Sequence, residues 1–202
     1  SFYNETKNKG IKPTPTIGGV GLIDDYQKMI TMEFKTTGNS VYVIGKTEGH
    51  LDQSVFARDL LSEKKGPPPN INLFNEKNIG QNILNLINEN LIVSCHDVSL
   101  GGILTAVSKM CIKGNKGIKI KQLEGLINKF EYFFGEDQGR YIVEIPKTNI
   151  EKVNEILEKN SVHYDELGFV DEKVLSFNNE IKLSIEELEK AHKYWLNKYM
   201  DS

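Results

Sequence analysis

Arginine is nearly absent from this chain: only Arg58 and Arg140 occur among 202 residues, so lysine supplies almost all of the 25 positive charges. Against 28 acids the net charge is −3, and the lysines are scattered rather than banked into a stripe, which argues against a dedicated nucleic-acid surface. Two cysteines, Cys95 and Cys111, lack CxxC spacing and sit among apolar neighbours, so they are expected to be reduced core thiols. No apolar run approaches the roughly 20 residues that cross a bilayer, and no charged-then-apolar leader opens the chain. The expectation is a soluble, cytoplasmic protein with no membrane and no nucleic-acid partner. Phosphate loops of the GxxxxGKS type, GxSxG elbows, dinucleotide fingerprints, internal repeats and heptads are all missing.

What is present suffices for a core. At 39% hydrophobic residues the chain can bury one generous domain, or one domain with part of another. The first ~40 residues are rich in turns and glycine, with an apolar patch at 17–23 that fits strands. Residues 41–44 read as a buried strand, 51–61 as a helix, and Gly66-Pro67-Pro68-Pro69 as a stiff spacer. Ile79, Ile83, Leu86 and Ile87 form a helical stripe, 91–93 a strand, and Ile103, Leu104, Val107, Met110 and Cys111 a second helix. Ile118 and Ile120 alternate as a short strand.

Residues 141–145 read as a strand stopped by Pro146, followed by a capping box at Thr148-Asn149-Ile150-Glu151. Two short strands flank Asn178-Asn179 as a hairpin, and a second capping box, Ser184-Ile185-Glu186-Glu187, launches a last helix bearing Leu188, Ala191, Trp195 and Tyr199. The sum is an α/β layered (α+β) domain.

Three stretches carry candidate chemistry. Ser1 opens the stretch Ser1-Phe2-Tyr3-Asn4-Glu5-Thr6, which is followed by a glycine-rich segment, Pro13-Thr14-Pro15-Thr16-Ile17-Gly18-Gly19-Val20-Gly21, the pairing of hydroxyl and approachable backbone that lines phosphate sites. With no initiator Met, the chain reads as the C-terminal piece of a larger polypeptide. Next, residues 94–102 join a strand to a helix whose first turn holds Gly101 and Gly102; orphan N–H groups there can face an anion, and His96 and Asp97 fall at the mouth of the turn. Asp97 is the candidate magnesium ligand, the alternative being a simple cap from Asp97 or Ser99. Third, Gly135-Glu136-Asp137-Gln138-Gly139-Arg140 packs acids, an amide and a rare arginine between glycines. Arg140 could clamp a phosphate and Glu136 and Gln138 could bind a ligand, or the segment is a turn with Arg140 in a surface ion pair. Asp24-Asp25 reads as a solvated turn, and His50, His163 and His192 lack metal or triad spacing.

Taken in order, S-F-Y-N-E-T, P-T-P-T-I-G-G-V-G-L-I-D-D, G-P-P-P, H-D-V-S-L-G-G and F-G-E-D-Q-G-R-Y resemble the C-terminal third of the phosphoribosylformylglycinamidine synthase family, small-subunit bacterial type, over essentially the whole chain. That resemblance places it in the aminoimidazole ribonucleotide synthetase superfamily. It implies that residues 1–38 are the last strands of a second ATP-binding-type domain and 39–202 a second synthetase C-terminal-type domain. The implied activity is a carbon–nitrogen ligase of purine biosynthesis, using ATP, Mg2+ and glutamine-derived ammonia on formylglycinamide ribonucleotide, with a glutaminase subunit and a small bridging subunit as partners.

By the same resemblance Ser1 contacts the ribonucleotide, and the catalytic histidine lies outside the chain, so the fragment is not expected to turn over alone. His96, Asp97, Glu136, Gln138 and Arg140 would line a second, non-catalytic nucleotide pocket or brace an interface. Asp137 departs from the serine of the corresponding first-half triplet, and Asp52 stands where glycine is common, which predicts local strain at Asp52. A non-catalytic docking half, or another superfamily member such as a thiamine-phosphate kinase or selenophosphate synthetase, is the alternative reading.

Overall fold

The computed structural model describes residues 3–11, 16–63, 65–121, 128–178 and 180–200. Two short strands, β1 (Glu5–Thr6) and β2 (Lys9–Gly10), pair as a small ribbon. The body is a seven-stranded sheet built from β3 (Ser40–Ile44), β4 (Ser94–Asp97), β5 (Gly117–Ile120), β6 (Tyr141–Ile145), β7 (Tyr164–Asp171), β8 (Val174–Phe177) and β9 (Ile181–Ser184). Their order is β4-β6-β3-β7-β5-β8-β9, and every neighbouring pair is antiparallel except β5 with β8. Among the described residues six α-helices complete it: α1 (Val55–Asp59), α2 (Leu73–Asn88), α3 (Gly102–Gly114), α4 (Lys129–Phe134), α5 (Ile150–Lys159) and α6 (Ile185–Met200).

Side chains alternate across a strand, and in β3 both faces are buried: Val41 and Val43 enter one core while Tyr42 and Ile44 enter the other. The first core is closed by Ile103, Val107, Met110 and Cys111 of α3, by Tyr132 and Phe133 of α4, and by Ile185 at the start of α6. The second is closed by Ile79, Ile83 and Leu86 of α2 with Val153 and Leu157 of α5. Helices on both faces of one mixed sheet confirm the expected α/β layering. Cys95 and Cys111 are both free thiols, as expected.

Several local expectations shift. The strand expected at 91–93 begins at Ser94, because Leu91 and Ile92 turn into the second core instead of pairing. The helix expected over 51–61 shrinks to α1, since the backbone before it is held by side chains from a distant loop described below. At the Thr148 box a 3-10 turn (Lys147–Asn149) precedes α5, and Asn149 has no capping bond; its amide donates to the Asn90 and Leu91 carbonyls. The Ser184 box forms as read: the Ser184 Oγ accepts from the Glu187 N–H at 3.2 Å while the Glu187 carboxylate accepts from the Ser184 N–H at 2.8 Å. The helix it launches does not close the domain with Trp195, which is 62% exposed. Positive φ falls at Gln53, not at Asp52. The patch at 17–23 forms no strand, and Ile17, Val20 and Leu22 are fully exposed. The short helix α4 was not foreseen, although Phe130, Phe133 and Phe134 carry helical spacing.

The segment leading into β3 is tied down by one carboxylate. Glu144, on β6 and 0% exposed, accepts from the Lys35 N–H (2.7 Å), the Thr36 N–H (2.9 Å) and the Asn39 side-chain amide (2.8 Å). Phe34 beside it is buried in the first core, so the last residues before the expected boundary at 38 pack with the sheet. Replacing Glu144 by Leu strands three donors without acceptors. It is expected to lower unfolding free energy by about 3 kcal/mol or more in chemical denaturation, with hydrogen exchange accelerating first at residues 35–39; an unchanged midpoint would refute this role.

Candidate functional site

The polar segment between α4 and β6 sits at one end of the sheet and organises everything around it. Arg140 is 1% exposed. Its Nη2 donates to the Gly135 carbonyl at 2.6 Å, Nε to the Asp137 carbonyl at 3.3 Å and Nη1 to Thr47 Oγ1 at 3.2 Å, and the Asp137 carboxylate lies 3.5 Å from Nη1. Burial pulls the guanidinium below its ordinary range and the Asp137 charge opposes that. Neither a phosphate clamp nor a surface ion pair describes Arg140: it donates to two carbonyls of its own loop and to Thr47 after β3, and it braces that loop from inside.

Asp137, 7% exposed, accepts from three successive backbone amides, Glu48 (3.2 Å), Gly49 (3.0 Å) and His50 (3.0 Å). Glu136 Oε1 accepts from the Val55 N–H that opens α1 (2.7 Å) and from the Gly101 N–H ahead of α3 (2.9 Å). The helix start that the glycine pair suggested as an anion site is therefore occupied by the protein's own carboxylate, at the partially positive end of the helix where an anion is favoured. Close approach makes this possible. A Cβ on Gly102, at φ +70°, would lie 2.6 Å from the Phe133 carbonyl, and one on Gly45, at φ +105°, would lie 2.3 Å from the Gly139 carbonyl.

Two hollows flank this brace. The larger, about 730 Å3, runs from residues 46–52 to the start of α2, with Pro69, Asn72, Glu76 and Gln138 on its walls. The smaller, about 300 Å3, is lined by Asp97, Ser99, Glu136, Gln138 and Arg140 among others. Exposed Gln138 faces both. Glu48, Asp52, Glu76 and Glu131 on the larger hollow outnumber Lys46 and His50, and Lys46 is itself paired with Glu48 at 2.9 Å. A bare phosphate entering there would meet more carboxylate than cation.

His96 and Asp97 lie on edge strand β4, not in the turn. The His96 Nδ1 is 3.2 Å from Asp97 Oδ1, its Nε2 is buried without a partner, and burial holds its pKa below the ordinary imidazole value. Asp97 is 62% exposed and lines the smaller hollow. Among the described residues no group of three His, Cys, Asp or Glu side chains could hold a metal ion. One carboxylate does not make a magnesium site by itself, so no chemistry is routed through a metal here. Ser1 lies outside the described residues. The residue that sequence reasoning passed over is Asp137. The signal was available as an acid beside a rare arginine between glycines.

Residues 36–176 match the family described as AIR synthase related protein, C-terminal domain, and the chain belongs to that family. Within it the chain is similar to phosphoribosylformylglycinamidine synthase subunit PurL. The protein of that name from Pelagibacter ubique (strain HTCC1062) is 63% identical over 202 residues, 100% of this chain and 28% of that protein. The one from Bartonella bacilliformis is 38% identical over 200 residues, 99% of this chain and 27% of that protein. The chain thus spans little more than a quarter of these relatives. Among solved structures, T. maritima PurL complexed with FGAR superposes with a TM-score of 0.66 at 21% identity, covering 80% of this chain and 29% of that one. T. maritima PurL complexed with ATP gives 0.61 at 19% identity, covering 80% and 27%. At such identities the likeness bears on the fold alone.

Two outcomes follow from the brace and its neighbours. Glu136→Ala is expected to cost about 2 kcal/mol of stability and to speed hydrogen exchange at Val55 and Gly101 together, whereas a change at one of them only would deny the shared carboxylate. Cys95, its pKa pushed up to about 12 by burial and then by Asp97, binds its proton more tightly folded than unfolded. Its contribution to stability is complete below about pH 9, near the unfolded thiol value, and declines as pH rises toward 12. Denaturation midpoints are expected to fall between pH 8 and pH 10, with a shallower fall in Cys95→Ser; identical slopes would count against it.

Proposed function

We propose that this chain is a segment of an ATP-dependent carbon–nitrogen ligase of purine biosynthesis. That synthase converts formylglycinamide ribonucleotide, glutamine-derived ammonia and ATP to formylglycinamidine ribonucleotide, ADP and phosphate. The observation that carries the reading is 63% identity extending over all 202 residues to a PurL protein. Solved relatives of the same fold, described as complexed with FGAR and with ATP, support the substrate and nucleotide, and one described as PurLQS supports assembly with further subunits. On this reading Mg2+ accompanies ATP and is held by residues outside this chain, a glutaminase and a small bridging subunit are the partners, and the setting is the cytoplasm.

The chemistry requires charge on a transferring phosphoryl group to be stabilised and water to be kept from the activated amide. This segment supplies rigid walls for that purpose. Ser1 is assigned to ribonucleotide contact, and Gln138, Asp97 and Ser99 are exposed polar groups of the second pocket, with Glu136 and Arg140 holding its shape and His96 backing Asp97. The inward commitment of Glu136, Asp137 and Arg140 favours a supporting reading for the 135–140 loop: it stabilises a non-catalytic half rather than gripping a nucleotide.

In its full-length context, with ammonium, ATP and Mg2+ present, the protein is expected to release ADP in a manner dependent on formylglycinamide ribonucleotide. Ser1→Trp should raise KM for the ribonucleotide about tenfold or more. Substrate-independent ADP release by the unmutated protein would overturn the activity; an unchanged KM would remove Ser1 from the site and leave the supporting role.

A further inference from the structure

The Asp137 carboxylate sits in surroundings that are a complete receptor for a small oxyanion. Three consecutive backbone amides, those of residues 48–50, converge on its two oxygens at 3.0–3.2 Å. The buried Arg140 guanidinium approaches one of those oxygens to 3.5 Å. Successive amides pointing into one concavity, backed by a guanidinium, are what proteins use to hold phosphate and carboxylate groups. Here Gly135 allows the loop to come close enough to deliver the acid: a Cβ on it would lie 2.9 Å from Gly49 Cα. The Glu136 N–H then donates to the His50 carbonyl at 2.9 Å and pins the loop to the same backbone. Asp137 also forms part of the wall of the larger hollow, so the receptor opens toward space that a dissolved ion can reach.

We propose that Asp137 is a tethered anion: its carboxylate fills an oxyanion cradle made by residues 48–50 and Arg140, and it thereby determines that the larger hollow accepts no phosphate or carboxylate group at this wall. The residue sets specificity by occupation. Removing its side chain converts the cradle into an open site for a free oxyanion, while the unmutated protein has no such site. The other charged side chains around the hollow, Glu48, Asp52, Glu76 and Glu131 against Lys46, weigh against an unheld anion and leave the cradle as the wall where one is stabilised, among the described residues. This claim is independent of the synthase reading, because its test measures no turnover.

The test compares the full-length protein and its Asp137→Ala variant in sodium formate, in sodium phosphate and in sodium chloride at equal ionic strength, following hydrogen exchange at residues 48–50. In chloride the variant is expected to exchange there at least about tenfold faster than the unmutated protein. Formate, the missing group itself, should restore protection saturably in the variant and leave the unmutated protein unchanged, with phosphate protecting in the same sense. Equal exchange in all three salts for the variant, or the same salt response in both proteins, overturns the proposal. Where Asp137→Ala fails to fold in chloride, refolding yield decides: recovery in formate supports the cradle, and no recovery refutes it.

Discussion

A buried arginine cannot be left half-satisfied, and in this protein that single requirement shapes one end of the sheet. Arg140 opens onto β6, a strand flanked on both sides, so its guanidinium is far from bulk water and must find acceptors within reach. It finds them at Gly135, Asp137 and Thr47, which fixes the 135–140 loop against the segment after β3. The loop, once fixed, presents two carboxylates at set positions. The backbone of residues 48–50 and the starts of α1 and α3 are then held by those two groups.

The same solution recurs along this stretch of chain. Glu136, Asp137 and Glu144 each accept from two or more backbone N–H groups that no helix or strand satisfies. A carboxylate can take several charge-assisted bonds at once, so three acids replace the ladder for residues 35–36, 48–50, 55 and 101. Such groups are costly to remove one at a time, since each leaves two or more partly buried donors without an acceptor. The consequence for function is a rigid rim around the hollows, with Gln138 and Asp97 as polar side chains that still look outward.

Much of the layered fold was legible in the residues. β3 and β6 show as predominantly apolar stretches because both faces of a central strand are covered, Glu144 being the one charged exception in β6, and the Ser184 box forms with both of its side chains closing it. The Thr148 box has the same pattern and does not form: Thr148 Oγ1 donates to the Asn149 side chain, whose amide is drawn to the Asn90 and Leu91 carbonyls 59 and 58 positions away. β4 was placed three residues early for a related reason: Leu91 and Ile92 are apolar whether they pair or plug a core. At the site, the pattern of acids around Arg140 marked the right loop, yet the direction each side chain faces depends on backbone donors from residues 48–55 and 101, which no local spacing reveals.

The hollows themselves argue for a division of labour inside the domain. A pocket that bound a nucleotide through this chain alone would need donors or cations facing the cavity, whereas the strongest cation is buried and the helix start carries a carboxylate already. The larger hollow is acidic on balance, so a phosphorylated ligand would require charge brought by another part of a longer protein or by a bound cation. The apolar residues at 17–23 illustrate a related limit: Ile17, Val20 and Leu22 have a strand's composition yet pair with no strand among the described residues, and a β pattern becomes structure only when a partner supplies the ladder. Rigidity is thus built into the sheet and its braced loop, and the larger hollow beside that loop stays acidic on balance.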